Sequence, residues 1–259
     1  MMSPRSLYKN WFRVEEFFKK SSKIFLMLDY DGTIVPITKK PELAKLKNKA
    51  KKILLKLICK EDRFRVAIIS GRSIHQLKQL INLKNLYYVG LHGLEIKGPS
   101  LKFTHELAIK TKPTIIRVRT ELSRFLQKVD GVVLEDKGLT LAVHYRSVSS
   151  QDSSFVKRKV LEVQTKYEGL RLLKGKKVFE FIPDVDWDKG DAALYLLKSF
   201  DLKHTPIYVG DDKTDENAFK VLRNLGLTIV VGRKKNSIAE YYVKNVGEVL
   251  RFLQKVSVM

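Results

Sequence analysis

Asp29 and Asp31 stand one residue apart in the segment Asp29-Tyr30-Asp31-Gly32-Thr33, directly after the apolar run Ile24-Phe25-Leu26-Met27-Leu28. Two carboxylates that close repel each other unless one keeps a proton or a cation sits between them. Mg²⁺ suits such a pair, because it takes hard oxygen ligands and tolerates bound phosphate. Gly32 lets the chain turn sharply beside an anion, and the Thr33 hydroxyl can donate to it. Taken alone, the pentapeptide also reads as an Asp-rich turn after a buried strand. A second acidic group, Asp211, Asp212 and Asp215, follows the apolar run Pro206-Ile207-Tyr208-Val209-Gly210. Ser70 follows Phe64-Arg65-Val66-Ala67-Ile68-Ile69, and Lys189 opens a helical pattern shortly before the second acidic group. Carboxylates and a hydroxyl at the ends of three strands, with an ammonium at a helix start, point together to phosphate-ester chemistry, which no one of them does alone.

The elements around these residues have to deliver them to one place. Short apolar runs bounded by turn signals suit buried parallel strands, and ligands bind outside the carboxyl ends of such strands. Leu86-Tyr87-Tyr88-Val89-Gly90 and Leu227-Thr228-Ile229-Val230-Val231 add two more runs of this kind. Helical spacing appears in Trp11, Val14, Phe17 and Phe18, in Ile74, Leu77, Leu80 and Ile81 after Ser70-Gly71-Arg72-Ser73, and in Ala192, Ala193, Leu196 and Leu197. Ser73 suits a helix N-cap. Thr214 starts another helix, and Asn236 to Leu253 predicts closing helices. Between Ile109 and Ile182 the texture changes to a helix over Ile115 to Leu126, strands Val132 to Asp136 and Leu139 to Tyr145, a helix over Phe155 to Val163, and strands Leu170 to Lys174 and Lys177 to Phe181. Lys137-Gly138 and Gly175-Lys176 read as hairpin turns. An α+β unit with antiparallel pairs, inserted between parallel βα units, predicts a second domain. The expected division is a discontinuous core, 1–108 and 183–259, and an insertion, 109–182.

Composition narrows the class. The chain has 259 residues and 44% hydrophobic content, ordinary for a globular protein. A single cysteine, Cys59, forms no internal disulfide, and no Cys/His cluster has zinc spacing. Arg5, Lys9, Arg13, Glu15 and Glu16 interrupt the first eighteen residues, unlike a signal peptide, and no run is long enough for a membrane helix. The expectation is a cytoplasmic protein with no membrane partner. Fifty Lys and Arg against 28 Asp and Glu give a formal charge of +22, which attracts anions. The densest basic stretch, Lys39 to Lys60, places Leu43, Leu46, Ala50, Ile53, Leu54 and Leu57 at helical spacing, so it reads as an amphipathic helix with a solvated lysine face. Without interleaved aromatics it is weak evidence for nucleic-acid binding.

Asp29 through Thr33, Ser70, the helix-starting Lys189, and Gly210-Asp211-Asp212 with Asp215 resemble in order the motifs of the haloacid dehalogenase superfamily of phosphatases. The finer resemblance is to the trehalose-6-phosphate phosphatases. It is carried by Ser70-Gly71-Arg72, Gly90-Leu91-His92-Gly93, Leu134-Glu135-Asp136-Lys137-Gly138, His144-Tyr145-Arg146, Glu180-Phe181-Ile182-Pro183 and Trp187-Asp188-Lys189-Gly190. One departure is Ile182, where family members usually carry a basic residue before the proline. The resemblance implies an α/β fold, a Rossmann-like core of the haloacid dehalogenase type with an inserted α+β cap of type C2. It implies a phosphoric monoester hydrolase that releases trehalose and phosphate from trehalose 6-phosphate, the last step of trehalose biosynthesis, through an aspartyl-phosphate.

In that scheme Asp29 attacks phosphorus and Asp31 acts first as acid, then as base. Ser70 and Lys189 hold the phosphoryl oxygens. Mg²⁺ is held by Asp29, Asp211 and the backbone carbonyl of Asp31, with Asp212 and Asp215 orienting the metal or Lys189. Glu135, Lys137, Arg146, Lys176 and Glu180 of the insertion, with Arg72 and His92 of the core, contact the sugar. The partner is then a small-molecule substrate and no nucleic acid, the chain is expected as a monomer, and functional coupling to a trehalose-phosphate synthase is conceivable. The alternatives are a phosphatase for glucosylglycerol, mannosylglycerate or sucrose phosphates, a basic nucleic-acid-binding protein, and a non-catalytic sugar-phosphate sensor.

Overall fold

The computed structural model describes residues 3–38, 41–200 and 203–259. It divides into two units, Met1–Phe103 with Trp187–Met259, and Thr104–Asp186. The first unit opens with β1 (Arg5–Ser6), α1 (Trp11–Lys20), β2 (Ile24–Asp29), α2 (Asn48–Ile58), β3 (Phe64–Ile69), α3 (Ile74–Ile81), β4 (Tyr87–Gly90), β5 (Glu95–Lys97) and β6 (Lys102–Thr104). The inserted unit holds α4 (Glu106–Leu126), β7 (Val133–Asp136), β8 (Leu141–His144), α5 (Ser150–Lys166), β9 (Leu170–Gly175) and β10 (Val178–Pro183). The first unit resumes with α6 (Lys189–Lys198), β11 (Thr205–Gly210), α7 (Asp215–Leu222), β12 (Leu227–Val231), β13 (Tyr241–Val243) and α8 (Val246–Val256). Among the described residues no helix is long and apolar enough to cross a membrane.

The large sheet runs β1-β13-β12-β11-β2-β3-β4-β5-β6, with parallel pairs on both sides of β2 and an antiparallel turn-back from β4 to β5. The chain leaves β2 toward β3 on one side and returns at β11 on the other, so the carboxyl end of β2 is the topological switch point where such sheets open a crevice. Every residue of β2 is buried, and its two-residue period sorts the side chains into two layers. Ile24, Leu26 and Leu28 pack with α1, α2, α3 and α8. Phe25 and Met27 pack with Ala192, Leu196, Ala218 and Phe219 of α6 and α7. Each such burial contributes roughly 1.5–3 kcal/mol against exposure. The same parity aims Asp29, the last residue of β2, at the α6/α7 layer.

In the inserted unit the sheet order is β7-β8-β10-β9, antiparallel throughout. Leu141, Val143, Phe179 and Phe181 bury one face against Ile115, Val118 and Leu122 of α4 and Val156, Val160 and Val163 of α5. Alternation therefore leaves Glu135, His144 and Glu180 on the opposite face.

Three local expectations are corrected. The helical spacing over Lys39 to Lys60 becomes a helix only from Asn48, because Lys47 is extended, with φ −66° and ψ 149°. Leu46 is buried outside the helix and Leu43 is 65% exposed; Lys39 and Lys40 lie outside the described residues. The segment expected as closing helices contains β13, whose Tyr-Tyr-Val run pairs in parallel with β12 and β1. Only one helix follows it, capped by the Asn245 side chain accepting from the Glu248 amide. The second hairpin turns at Lys176-Lys177, one residue later than expected, because Gly175 still pairs with Val178 and it is Lys177 that adopts φ +62°. The strands β1, β5 and β6 are too short for their periodicity to show in sequence.

Candidate active site

Lys189 is the centre of the site in the first unit. It is the first residue of α6, positioned by a capping box in which Asp188 accepts from the Asp191 amide at 3.4 Å and Asp191 accepts from the Asp188 amide at 2.9 Å, with Asp188 also accepting from the Gly190 amide at 2.6 Å. The Trp187 indole fixes the approach by donating to the Gly93 carbonyl at 2.9 Å. A cation at a helix N-terminus is disfavoured by the dipole, so Lys189 needs anions, and it has two. Its Nζ donates to Asp29 Oδ1 and to Asp215 Oδ1, both at 2.8 Å, with the lysine side chain 3% exposed. Burial opposes its charge, but Asp215 and Asp29 outweigh that and push its pKa up.

Asp215 is fully occupied. Its Oδ1 also accepts from the Tyr208 hydroxyl, and its Oδ2 accepts from the backbone amides of Asp211 and Asp212, each at 2.9 Å. Asp29 is not: its Oδ2 is buried and has no hydrogen-bond partner, and the same holds for Thr33 Oγ1. Burial, and then Asp215 and Asp211, push Asp29 well above the ordinary carboxylate range, with Lys189 opposing. Asp211 is pushed up to about 6, by burial first and Asp215 second. Carboxylate oxygens of Asp29, Asp211 and Asp215 lie within 4.8 Å of one another. A cluster so negative, with an unpartnered buried oxygen, fits a hard divalent cation. The unpaired oxygen makes Asp29 and Asp211 the ligand candidates, while Asp215 is spent on Lys189 and the backbone. Gly32, at φ +85°, passes so close that any Cβ would run into the Asp211 carboxylate.

Asp31 lies beyond the strand, in a turn closed by the Tyr30 carbonyl accepting from the Ile34 and Val35 amides at 3.1 Å. Arg72 grips it with both arms of its guanidinium, Nε to Oδ2 at 2.6 Å and Nη2 to Oδ1 at 2.7 Å. Arg72, expected at the sugar, is thus bound to the second aspartate. Ser70 is buried one residue past Ile69, the register partner of Asp29. Its Oγ accepts from the Arg72 amide at 3.2 Å, and its carbonyl accepts from the His92 amide at 3.0 Å. The His92 ring packs where a Gly71 Cβ would be, on a backbone with φ +59°. Asp212 is exposed, and its carboxylate accepts from the Lys213 amide.

In the inserted unit, Glu180 Oε1 accepts from Lys137 Nζ and from Thr140 Oγ1, both at 2.9 Å. Glu135 Oε2 pairs with His144 Nε2 at 2.7 Å. Arg146 and Lys176 are exposed at the β9–β10 turn, where Arg146 Nη2 donates to the Lys176 carbonyl at 3.3 Å. The structure thus gathers Glu135, Lys137 and Glu180 on one sheet face and sets Arg146 and Lys176 at its margin.

The trehalose-phosphatase family model matches residues 27–246, across both units. The chain belongs to the trehalose-phosphatase family. A protein of Oryza sativa subsp. japonica, "Probable trehalose-phosphate phosphatase 3", is 36% identical over 268 residues, covering 95% of this chain and 72% of its own length. The Zea mays "Trehalose 6-phosphate phosphatase RA3" is 34% identical over 258 residues, covering 92% of this chain and 71% of its own. Among solved structures, the C-terminal domain of the C. albicans trehalose-6-phosphate phosphatase superposes with a TM-score of 0.80 at 22% identity, covering 99% of this chain and 98% of that one. At that identity the likeness speaks to the fold, a haloacid-dehalogenase-like α/β core.

Three side chains not singled out in sequence for a role contact the candidate residues, one in the first unit and two in the inserted unit. Tyr208 reaches Asp215 from β11, Thr140 reaches Glu180, and His144 reaches Glu135. Tyr208 sits inside an apolar strand pattern, where a hydroxyl carries no periodic signal. Thr140 and His144 could have been found from hairpin register, which sets which residues share a face.

Proposed function

We propose that this chain hydrolyses trehalose 6-phosphate to trehalose and phosphate with Mg²⁺. The observation that carries the chemistry is the Asp29 carboxylate at the switch point, with one oxygen held by Lys189 and the other buried without a partner. The names of its relatives support the choice of sugar. The Asp29 carboxylate attacks phosphorus, forming an aspartyl-phosphate as the bond from phosphorus to the sugar oxygen breaks. Asp31 gives its proton to the departing sugar oxygen. It then takes a proton from the water that attacks phosphorus, and the aspartyl bond breaks to release inorganic phosphate. Arg72 holds both Asp31 oxygens, so it releases one for Asp31 to take up the proton it then gives, and orients the carboxyl through the other in both steps. Lys189 and the Ser70 and Thr33 hydroxyls bind the phosphoryl oxygens as charge shifts onto them. Mg²⁺, held by Asp29, Asp211 and the Asp31 carbonyl, would neutralise phosphate charge and align the reacting group. Glu135, Lys137 and Glu180, with Arg146 and Lys176, recognise sugar hydroxyls, and the inserted unit serves as a specificity cap.

The test is release of inorganic phosphate from trehalose 6-phosphate with and without Mg²⁺, beside glucose 6-phosphate, sucrose 6-phosphate and an Asp29→Asn control. Selective, magnesium-dependent release that disappears in the variant supports the reading. Equal turnover of the three sugars keeps the core chemistry and removes the specificity.

A further inference from the structure

We infer that His144 is a positioning residue for the sugar, acting through Glu135. His144 ends β8 on the sheet face opposite the apolar core of the inserted unit. Its register partners on the two flanking strands are Val133 and Val178, which offer no polar side chain. Its polar reach is diagonal, two residues along β7, to Glu135, where Nε2 meets Oε2 at 2.7 Å. An ionised carboxylate only accepts, so the imidazole donates from Nε2. Both side chains are partly open, 31% for His144 and 24% for Glu135.

The neighbouring carboxylate on the same face shows what such a contact does. Glu180 is held by two donors, Lys137 and Thr140, and its side chain is 12% exposed. Glu135 is more open, and the short, stiff imidazole on the adjacent strand narrows its rotamer range, at the cost of ring entropy that the strand has already limited. A carboxylate fixed in this way accepts hydroxyl protons at defined positions, which is what separates one sugar from another. The inference rests on the proposed reading that Glu135 binds the sugar.

The experiment is steady-state kinetics of the full chain on trehalose 6-phosphate with Glu135→Gln, His144→Leu, His144→Gln and the double variant Glu135→Gln/His144→Leu. The expected result is a KM raised about tenfold by His144→Leu, the scale of one lost charged hydrogen bond, with kcat changed far less. His144→Gln, which keeps a donor at similar reach, recovers most of that KM. In the Glu135→Gln background His144→Leu adds little, as required of residues that act as one unit. Additive KM effects overturn the inference, because His144 then acts independently of Glu135. So does a wild-type KM in His144→Leu when Glu135→Gln raises it, and so does equal loss of kcat in both His144 variants, which marks a structural role. If Glu135→Gln itself leaves KM unchanged, the sugar-binding reading of Glu135 falls and the positioning role falls with it.

Discussion

The two clusters of acidic side chains treat their charge in opposite ways. In the inserted unit Glu180 is matched by Lys137 and Thr140, and Glu135 by His144. In the core, Asp29, Asp211 and Asp215 crowd around the ammonium of Lys189, one Asp29 oxygen has no partner, and burial pushes Asp29 and Asp211 upward. A protein that wanted only stability would not leave a buried carboxylate oxygen unpaired, since that costs roughly 1–3 kcal/mol or more. The core keeps one buried carboxylate oxygen open. In the insertion each of these carboxylates has a side-chain partner.

This contrast sets the order of expected effects. Asp29→Asn should lower turnover by about 10⁴-fold or more on trehalose 6-phosphate and on p-nitrophenyl phosphate alike, measured as phosphate or nitrophenol release; a loss confined to the sugar substrate would put the nucleophile elsewhere. Lys189→Met strips the buried carboxylates of their ammonium. Urea unfolding should show about 3–5 kcal/mol of lost stability in metal-free protein, the usual effect of removing one partner of a buried pair. If stability is unchanged, the carboxylates are not charged in the folded state.

Glu180→Gln should raise KM for trehalose 6-phosphate about tenfold and leave p-nitrophenyl phosphate turnover much less affected. An equal effect on both substrates would erase the distinction between the two clusters. The smallest effect is on pH dependence. Asp211, pushed up to about 6 by burial first, keeps its proton in the folded chain where an unfolded aspartate has lost it. The folded state therefore binds more protons between about pH 4 and pH 6, and without metal its stability falls as pH rises through that window, then levels. Tm measured across that range in EDTA should show the fall, with Mg²⁺ or Asp211→Asn reducing it.

Much of the core was legible. The apolar run before Asp29, the Ser70-Gly71-Arg72 turn and the Trp187-Asp188-Lys189-Gly190 helix start carry local signals, namely burial, turn chemistry and capping, that need no tertiary partner. The parallel β runs and the antiparallel insertion were readable for the same reason. The basic helix was overextended, because apolar spacing at Leu43 and Leu46 does not reveal that Lys47 is extended. β13 was missed because three residues are too few for a period.

The division between Asp212 and Asp215 shows where sequence stops. Both aspartates follow the same strand within a few residues, and their types are identical. Only the fold turns Asp215 inward, at 0% exposure, to meet Lys189, Tyr208 and two amides, while Asp212 stays on the surface. Likewise the choice of Arg72 for Asp31, and of His144 for Glu135, joins residues that lie far apart in the chain or on paired strands. Residue type, local pattern and the resemblance they carry determine which chemistry is available and which elements present it. Contacts between distant segments decide which oxygen is held, which is left open and which faces water, because those depend on packing, register and desolvation that no local pattern encodes.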